Sequence, residues 1–274
     1  MKKLYKRVKR VVISFSILSL VKFFYYYPIK FYKALALFFY FFLSKFRKIG
    51  LKNLEILNFK KKILWKNFCF MTYCALRFIK LRKKSEDEIV NNVEVSNLQI
   101  LIDKMDKKRG VFVFTLHFGF WEIIPIYFSL KGLKVCVIAS KVYTDSINNF
   151  INNIRKKFNI EVFHPENAYA LIKRLKKGYA AGILMDQKQG GKRSFVNFFG
   201  KKVEAPIGPL EIAYKLKPEV LLMRTLNLKD KDHIYIENFN LSYNLNYDLQ
   251  CIYNKFEEWI REKPWQWILI HQRF

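Results

Sequence analysis

The sequence predicts an α/β protein with a mixed, partly parallel sheet flanked by helices and an N-terminal hydrophobic helical membrane anchor. Short apolar runs of strand length alternate with helical segments from about residue 93 to residue 274, and such alternation is typical of strands that are joined through helices. The residues before this region are strongly apolar and strongly basic at once. We therefore expect an anchor over residues 1–50 and a second domain over residues 51–274.

The elements of the second domain follow from the spacing of apolar residues. Residues 54–84 have the spacing of an amphipathic helix, and the acidic, polar stretch 85–92 is a plausible boundary before the core. Strands are predicted at residues 111–116, 134–139, 160–163, 180–185, 219–225 and 234–239, and helices at residues 120–130, 146–158, 168–176, 207–215 and 249–263. In sheets of this kind functional residues gather at the carboxyl ends of strands, where His117 and Asp186 both lie.

The charge of the chain is concentrated near its start. The formal net charge is +28, and residues 1–84 contribute +21, because they hold 22 Lys and Arg and one acid, Glu55. Nucleic acids and anionic lipids both attract such a segment. The stretches between the lysines, at residues 11–21, 23–29 and 34–44, are apolar, whereas a nucleic-acid-binding arm would be polar there. The pattern favours an anionic membrane surface over nucleic acid.

The apolar runs also predict how the anchor meets the bilayer. Neither 11-residue run reaches the roughly 20 residues that span a membrane, and Lys22 and Pro28 interrupt the longer stretch 11–29. Basic residues on both sides favour the cytoplasmic face for both ends. We expect an interfacial or re-entrant hairpin that turns near Pro28. A buried pair of hydrophobic helices is the alternative.

The four cysteines do not point to a metal site or a disulfide framework. Cys69, Cys74, Cys136 and Cys251 form no CxxC pair and have no histidine at ligand spacing. Buried or partly buried free thiols are expected, which suits a reducing cytoplasmic side. No metal and no other cofactor is expected.

The segment from Gly110 to Glu122 carries the candidate chemistry. An apolar run ends in His117, and the carboxylate of Glu122 follows five residues later. Histidine can take a proton from a hydroxyl near neutral pH, and a carboxylate can hold the imidazole in one tautomer. The two side chains would not share a face of one regular helix. They can meet if His117 lies in a strand-to-helix turn and Glu122 in the first turn of the helix, and Gly119 makes such a turn easy.

Several blocks of the chain together resemble the bacterial lipid A late (secondary) acyltransferases, which carry a His-x4-Asp/Glu signature. Residues 117–122 read HFGFWE and are similar to the HFGNWE block of that family. The later blocks are MDQ at residues 185–187, FFG at 198–200, APIGP at 205–209 and PWQWILIHQRF at 264–274. The resemblance covers nearly the whole chain, and it implies a glycerolipid acyltransferase-like fold.

The resemblance implies an O-acyltransferase of lipid A biosynthesis at the inner membrane, with its active site facing the cytoplasm. It would transfer a lauroyl-like chain from acyl carrier protein to a hydroxyl of a Kdo-linked lipid A precursor. His117 is then the expected general base and Glu122 the residue that orients it. The acceptor hydroxyl attacks the thioester, so no acyl-enzyme is needed. Another glycolipid or lysophospholipid acceptor is an alternative, as is a non-catalytic membrane-binding relative.

Further candidates rest on the same resemblance. Arg155 and Arg224, the latter expected at a strand end, are candidates for binding substrate or the oxyanion, although either could be a structural arginine. Asp186 and Gln187 are also candidates for the substrate or oxyanion site; Asp186 could cap or orient Arg155, or be a turn residue at the end of a strand. Lys192 and Arg193, in a loop expected to be flexible, are candidate acceptor contacts.

Other positions are less directly tied to catalysis. His271 and Arg273 are expected to pack the C-terminus or contact the acceptor. The chain departs from the family pattern at Phe120, where an asparagine is usual, and near Lys141, where an arginine is common. These departures leave the acceptor and chain-length preference open.

Overall fold

A computed structural model describes residue 19 and residues 23–105, 110–140, 145–165, 167–187, 191–229 and 231–274. Most of the apolar run 11–21 of the expected anchor lies outside the described residues, and so do Lys141 and Gly190. Within the described ranges the chain forms a mixed α/β fold with a mostly parallel sheet flanked by helices, which confirms that part of the prediction.

The helices and strands are numbered here in chain order within the described residues. The elements are α1 (Tyr32–Phe42), α2 (Ser44–Ile56), α3 (Lys62–Lys80), α4 (Glu86–Val90), β1 (Val93–Ser96), α5 (Leu98–Met105), β2 (Val111–Thr115), α6 (Ile123–Leu130), β3 (Val135–Ile138), α7 (Asp145–Lys157), β4 (Glu161–Phe163), α8 (Ala168–Leu175), β5 (Ala180–Leu184), β6 (Arg193–Phe198), β7 (Lys201–Pro206), α9 (Gly208–Leu216), β8 (Glu219–Leu228), β9 (Lys231–Asn238) and α10 (Leu245–Glu262). All six predicted strands and the five helices predicted beyond residue 93 are present, with ends shifted by a few residues.

The main sheet has seven strands in the order β1-β9-β8-β2-β5-β3-β4. The five strands from β8 to β4 run parallel, β9 is antiparallel to β8, and β1 is parallel to β9. Strands β6 and β7 form a separate hairpin. The carboxyl ends of β2, β5 and β3 therefore meet at one edge, where functional residues are expected in such sheets.

Two apolar layers cover the two faces of the sheet. All five residues of β2 are buried, as befits a central strand that is covered on both sides. Phe112 and Phe114 pack in one layer with α10, while Val111 and Val113 pack in the other with α6. This alternation follows from the two-residue period of a strand.

The prediction of one helix over residues 54–84 is wrong, because α2 ends at Ile56 and α3 begins only at Lys62. Asn58 adopts a left-handed conformation with φ of 55°. The N–H of Phe59 donates to the Leu54 carbonyl at 2.9 Å, and the N–H of Asn58 donates to the Glu55 carbonyl at 3.1 Å. These two bonds form a Schellman C-cap, a local stop that apolar spacing does not reveal.

Several elements lie outside the predicted set. Helix α4 begins with a capping box in which Ser85 and Glu88 bond each other's backbone. Residues 193–206, part of which was expected to be a flexible loop, form the β6–β7 hairpin. Strand β8 continues to Leu228, so Arg224 lies inside the strand rather than at its end.

The described N-terminal helices expose aromatic side chains. In the part of the chain that the structure describes, 14 large hydrophobic residues are highly exposed, and nine of them lie between residues 23 and 46, including Phe41 and Phe42 at 61% and 71%. The opposite side of α1 packs on α3, where the Tyr40 ring contacts Trp65 and Phe68 edge-on. Among the described residues, no helix is long and apolar enough to cross a membrane.

The four cysteines are free thiols, three of them buried and Cys251 half-buried, which confirms that prediction. Burial raises the pKa of the Cys136 thiol to about 12. Burial also raises the pKa of Cys69 and Cys74. These three thiols are held in their protonated, unreactive form near neutral pH.

Candidate active site

His117 and Asp186 meet because of the register between two neighbouring parallel strands. Thr115 at the end of β2 lies beside Leu184 at the end of β5, and each functional residue follows its strand end by two positions. The Met185 N–H donates to the Thr115 carbonyl at 2.8 Å and extends the pairing beyond the strands. As a result, His117 Nδ1 lies 2.8 Å from Asp186 Oδ1.

The Asp186 carboxylate is fully buried and bonded on both oxygens. Oδ2 accepts a hydrogen bond of 2.8 Å from Trp267 Nε1. Burial alone would raise the pKa of the Asp186 carboxyl, but the His117 charge and the hydrogen bonds from His117 and Trp267 outweigh it and hold the pKa below its usual value. An ionised carboxylate only accepts hydrogen bonds. It therefore keeps a proton on His117 Nδ1 and leaves Nε2 free to act as a base.

The turn that presents His117 depends on Gly119. Its φ is +62°, and a Cβ atom there would lie 2.2 Å from the Thr225 carbonyl oxygen, so a side chain is excluded. The Thr225 hydroxyl donates to the Phe118 carbonyl at 2.8 Å. The turn is thus fastened to β8, and the His117 ring lies 5.0 Å from the Trp121 ring in an edge-on contact.

The C-terminal segment completes the site. The Ile268 N–H donates to the His117 carbonyl, and the Gly119 N–H donates to the Gln266 carbonyl. The segment is held from behind by buried asparagines of α2 and α3. Asn53 donates to the carbonyls of Leu269 and His271, and Asn67 to those of Trp265 and Trp267. Residues far apart in sequence therefore fix the position of Trp267 on Asp186.

Glu122, at the start of α6, is paired with Arg155 of α7. Arg155 Nη2 donates to Glu122 Oε1 at 2.5 Å, and Arg155 Nε donates to Oε2 at 3.1 Å. Both side chains are largely shielded, with exposures of 11% and 15%. Arg155 Nη1 has a weaker contact, 3.5 Å from Asn152 Oδ1. The bidentate pair fixes the plane of the guanidinium.

The four site residues are thus partnered differently from the sequence expectation. We expected Glu122 to orient His117, and Asp186 was a candidate to orient Arg155 or to be a turn residue. In the structure Asp186 bonds His117, and Glu122 bonds Arg155. The physical reason is the strand register, which brings Asp186 against the ring, while Glu122 sits one turn away at the start of α6.

An apolar cavity is lined in part by the Glu122–Arg155 pair. It is bounded by the sheet on one side and α6 on the other, and the pair and Trp121 line it together with aliphatic side chains. Gly182 of β5 pairs with Val113 of β2 and Val137 of β3, and all three residues line the cavity. The cavity could hold an unbranched hydrocarbon chain.

Phe120, the departure inside the motif, is a core residue. Its side chain is 2% exposed and lies in the layer between the sheet and α6. The Arg77 guanidinium lies 4.5 Å above its ring and is itself paired with the buried Asp232. Phe120 is not among the residues that line the apolar cavity. It therefore joins α3 to the His117 turn by packing.

The remaining candidates lie apart from this constellation or beside it. Arg224 pairs with Glu262 and stacks over Tyr235 and Trp259. Lys192 pairs with Glu211 and Arg193 with Glu204 on the surface. Gln187 is half-buried directly after Asp186.

His271 and Arg273 belong to the C-terminal segment that packs behind the site. Burial and the nearby charges of His117 and Arg273 lower the pKa of His271, although Asp186 opposes the shift. Arg273 is buried and donates to the Glu204 carbonyl and the Tyr253 hydroxyl. The Tyr253 hydroxyl in turn donates to the Met185 carbonyl at 2.5 Å, next to Asp186.

Sequence reasoning missed Trp267, Asn53 and Asn67 as parts of the site. Trp267 lies in the C-terminal block that carried the resemblance. The sequence therefore pointed to this segment, but it did not predict the hydrogen bond from Trp267 to Asp186. The asparagines have no sequence signal, since each lies within a helix and acts on a carbonyl about 200 residues away.

Comparison with known proteins agrees with the resemblance. A family model described as bacterial lipid A biosynthesis acyltransferase matches residues 7–274. The comparison with curated proteins gave no match.

Proposed function

Since the chain belongs to the bacterial lipid A biosynthesis acyltransferase family, we propose that it transfers a lauroyl-like acyl chain from acyl carrier protein to a hydroxyl of a Kdo-linked lipid A precursor. An acyltransferase role in lipid A synthesis follows from the family itself. The donor, the acceptor hydroxyl and the residue roles are our proposal. The single observation that supports them best is the buried chain of hydrogen bonds from Trp267 through Asp186 to His117 beside an apolar cavity.

In this proposal His117 is the general base. Nε2 takes the proton of the acceptor hydroxyl while the hydroxyl oxygen attacks the thioester carbonyl carbon. The new C–O bond forms, the tetrahedral intermediate collapses with cleavage of the C–S bond, and the proton passes from His117 to the departing thiolate. Asp186 orients the ring and stabilises its charged form during this transfer. No side chain forms a covalent intermediate.

Arg155 is the proposed donor to the oxyanion. Its side chain lines the apolar cavity, and Glu122 holds two of its N–H groups. Among the described residues Nη1 has only the longer contact with Asn152, so an N–H group held in the fixed guanidinium plane remains available for a developing negative charge. Fixed donors aimed at such a charge give a large share of the catalysis of acyl transfer. Glu122 is then a positioning residue for Arg155.

Double substitution of Glu122 and Arg155 tests this assignment. Arg155→Ala should lower kcat by about 10²–10³-fold, as the loss of one oxyanion donor does. Glu122→Ala should have a smaller effect, and the double variant should lose no more than Arg155→Ala, because the two residues act as one unit. The measurement is kcat for acyl transfer by all three variants.

A structural pair away from the site gives the control for that cycle. Arg174 and Glu161 form a similar ion pair, and their alanine variants should keep kcat within about twofold, since surface pairs contribute little. If the fold-reduction in kcat of the double variant equalled the product of the reductions of the two single variants, a shared role for Glu122 and Arg155 would be refuted.

The apolar cavity is the proposed site of the donor acyl chain. Gly182→Val should place a β-branched side chain between Val113 and Val137 and shorten the cavity. The kcat/KM for the longest accepted chain should then fall by about tenfold or more, since one methylene changes discrimination by about 1–3 kcal/mol. Shorter donors should be affected within about twofold. Acyl carrier proteins of several chain lengths provide the measurement, and an equal loss for every length would contradict the assignment.

The proposed location is the cytoplasmic face of the inner membrane. The exposed aromatic residues of α1 and the positive charge of residues 1–84 support association with an anionic bilayer. Apolar side chains can enter the interface while lysines contact the head groups. The proposed anchor of residues 1–50 and the domain of residues 51–274 would then lie on one face of the bilayer.

A product analysis tests the function directly. The purified full chain is incubated with acyl carrier proteins of several chain lengths and a tetra-acylated precursor, and lipids are analysed by mass spectrometry. The expected product carries one additional ester-linked acyl chain. Faster transfer to a lysophospholipid than to the precursor would support the alternative acceptor. A chain that binds vesicles but transfers no acyl group would support the non-catalytic alternative.

A further inference from the structure

A basic groove lies outside the catalytic centre, between α2 and the C-terminal segment. One wall carries Lys45, Lys48 and Lys52 of α2, and the other carries Gln272 and Phe274. Asn53 also lines the groove. The proposed mechanism uses none of these lysines.

The lysines of the groove share one helix face without described acid partners. They are separated by three and four residues, which places them on one side of α2. All three are exposed, and among the residues that the structure describes none of them forms a salt bridge. Like charges at this spacing are mildly destabilising for a helix. Their arrangement therefore suits an external anion better than it suits the fold.

The groove adjoins the exposed apolar surface of the N-terminal helices. Phe41 and Phe42 end α1, Leu43 follows them, and Phe46 lies one residue after Lys45. Large apolar side chains at a membrane surface lie near the acyl boundary, while adjacent lysines lie at the level of the head groups. The groove thus opens where the head group of a membrane lipid would lie.

One chain segment connects the groove with the catalytic centre. Asn53 is 1% exposed and donates to the carbonyls of Leu269 and His271 at 2.7 and 2.8 Å. Two residues before Leu269, the Trp267 indole donates to Asp186. A lipid whose head group occupied the groove would lie along this segment toward His117.

We propose that this groove binds a phosphate group of the acceptor glycolipid. The inference rests on the proposed function, because it assigns a head-group subsite to the same acceptor. Three ammonium groups suit a phosphate, which accepts charge-assisted hydrogen bonds from several directions. Lys192 and Arg193, the acceptor contacts expected from the sequence, each have an acid partner, whereas the groove lysines have none among the described residues.

The test compares the wild type with the triple variant Lys45→Gln, Lys48→Gln, Lys52→Gln in neutral detergent micelles. The acceptor is a phosphorylated, tetra-acylated lipid A precursor or its dephosphorylated form. The KM for the phosphorylated acceptor should rise by about tenfold or more through lost charge-assisted bonds. The kcat, the KM for the acyl donor and the KM for the dephosphorylated acceptor should stay within about twofold.

A charge-matched control uses Lys173→Gln, Lys176→Gln and Lys177→Gln. These exposed lysines lie in or just after α8, before the amino end of β5 and so at the opposite edge from Asp186. This variant should bind both acceptors as the wild type does. An equal rise in KM for both acceptor forms, or for both triple variants, would overturn the proposal and indicate only general attraction by surface charge.

Binding measured without turnover separates this proposal from the proposed function. Both proteins are titrated with neutral phosphatidylcholine vesicles that contain the phosphorylated precursor, or phosphatidylglycerol in its place. If the groove variant binds more weakly than the wild type to the precursor vesicles but not to the phosphatidylglycerol vesicles, the subsite is supported even if the wild type transfers no acyl chain. Equal binding by both proteins, or the same loss on phosphatidylglycerol, contradicts it.

Discussion

Asp186→Asn is expected to lower kcat for acyl transfer by about 10³–10⁴-fold, the magnitude seen when a buried carboxylate that orients a catalytic histidine becomes an amide. The carboxylate accepts from His117 Nδ1 on one oxygen and from Trp267 Nε1 on the other. An amide has only one oxygen to accept with. Asparagine can therefore satisfy one of these two donors and must face the other with an N–H group.

Either arrangement of the amide harms the base. If its oxygen accepts from the indole, its N–H₂ donates to Nδ1, and the proton moves to Nε2, which then cannot act as a base. If its oxygen accepts from the imidazole, two N–H groups face each other in a buried site, at a cost of roughly 1–3 kcal/mol for the unsatisfied donor. The steady-state kcat at neutral pH is the measurement.

A variant of the second partner gives the control for this prediction. Trp267→Phe removes one hydrogen bond to Asp186 but leaves the carboxylate on His117, so its kcat should fall far less than that of Asp186→Asn. Thermal melting of both variants checks that the fold is kept. A kcat for Asp186→Asn within tenfold of the wild type would contradict the role assigned to this carboxylate.

His117→Ala is expected to remove nearly all acyl transfer, with a loss of at least about 10³–10⁴-fold in kcat. The substitution deletes the only proposed group that can carry the proton from the hydroxyl to the leaving thiolate. The His117 side chain is partly exposed and bonded mainly through Nδ1, so the fold should survive. Mass spectrometry of the lipid products, with the donor in excess, gives the measurement.

His233→Ala is the matched control for that substitution. His233 lies on β9, pairs with Glu94 and stacks on Tyr235, and its removal should leave kcat within about twofold. Near-normal transfer by His117→Ala, in a protein that still melts cooperatively, would exclude His117 as the base.

The parallel part of the sheet was predictable because its strands are buried on both faces. Continuous apolar runs such as residues 111–116 and 180–185 stand out from the polar helical surfaces around them. The placement of His117 and Asp186 at one edge also followed from the sequence, since each comes directly after a predicted strand and parallel strands end at the same edge. Their direct contact did not, because it depends on the register of β2 against β5.

Other features depend on contacts that a local pattern does not contain. The stop at Asn58 is a backbone cap formed by two hydrogen bonds, and asparagine occurs in helices as well. The bond from Trp267 to Asp186 joins residues 81 positions apart. The contact of Glu122 is a further example. Its spacing to His117 suggested a contact between these two residues, but at the start of α6 its side chain bonds Arg155 instead.

The most direct test compares Asp186→Asn with Glu122→Gln in one acyl-transfer assay. Single-turnover rates are measured at neutral pH with acyl carrier protein as donor and the tetra-acylated precursor as acceptor. If Asp186 holds the base and Glu122 acts through Arg155, Asp186→Asn should be at least about tenfold slower than Glu122→Gln, because the amide at position 122 can still bond the guanidinium. A slower Glu122→Gln, with Asp186→Asn close to the wild type, would contradict this account.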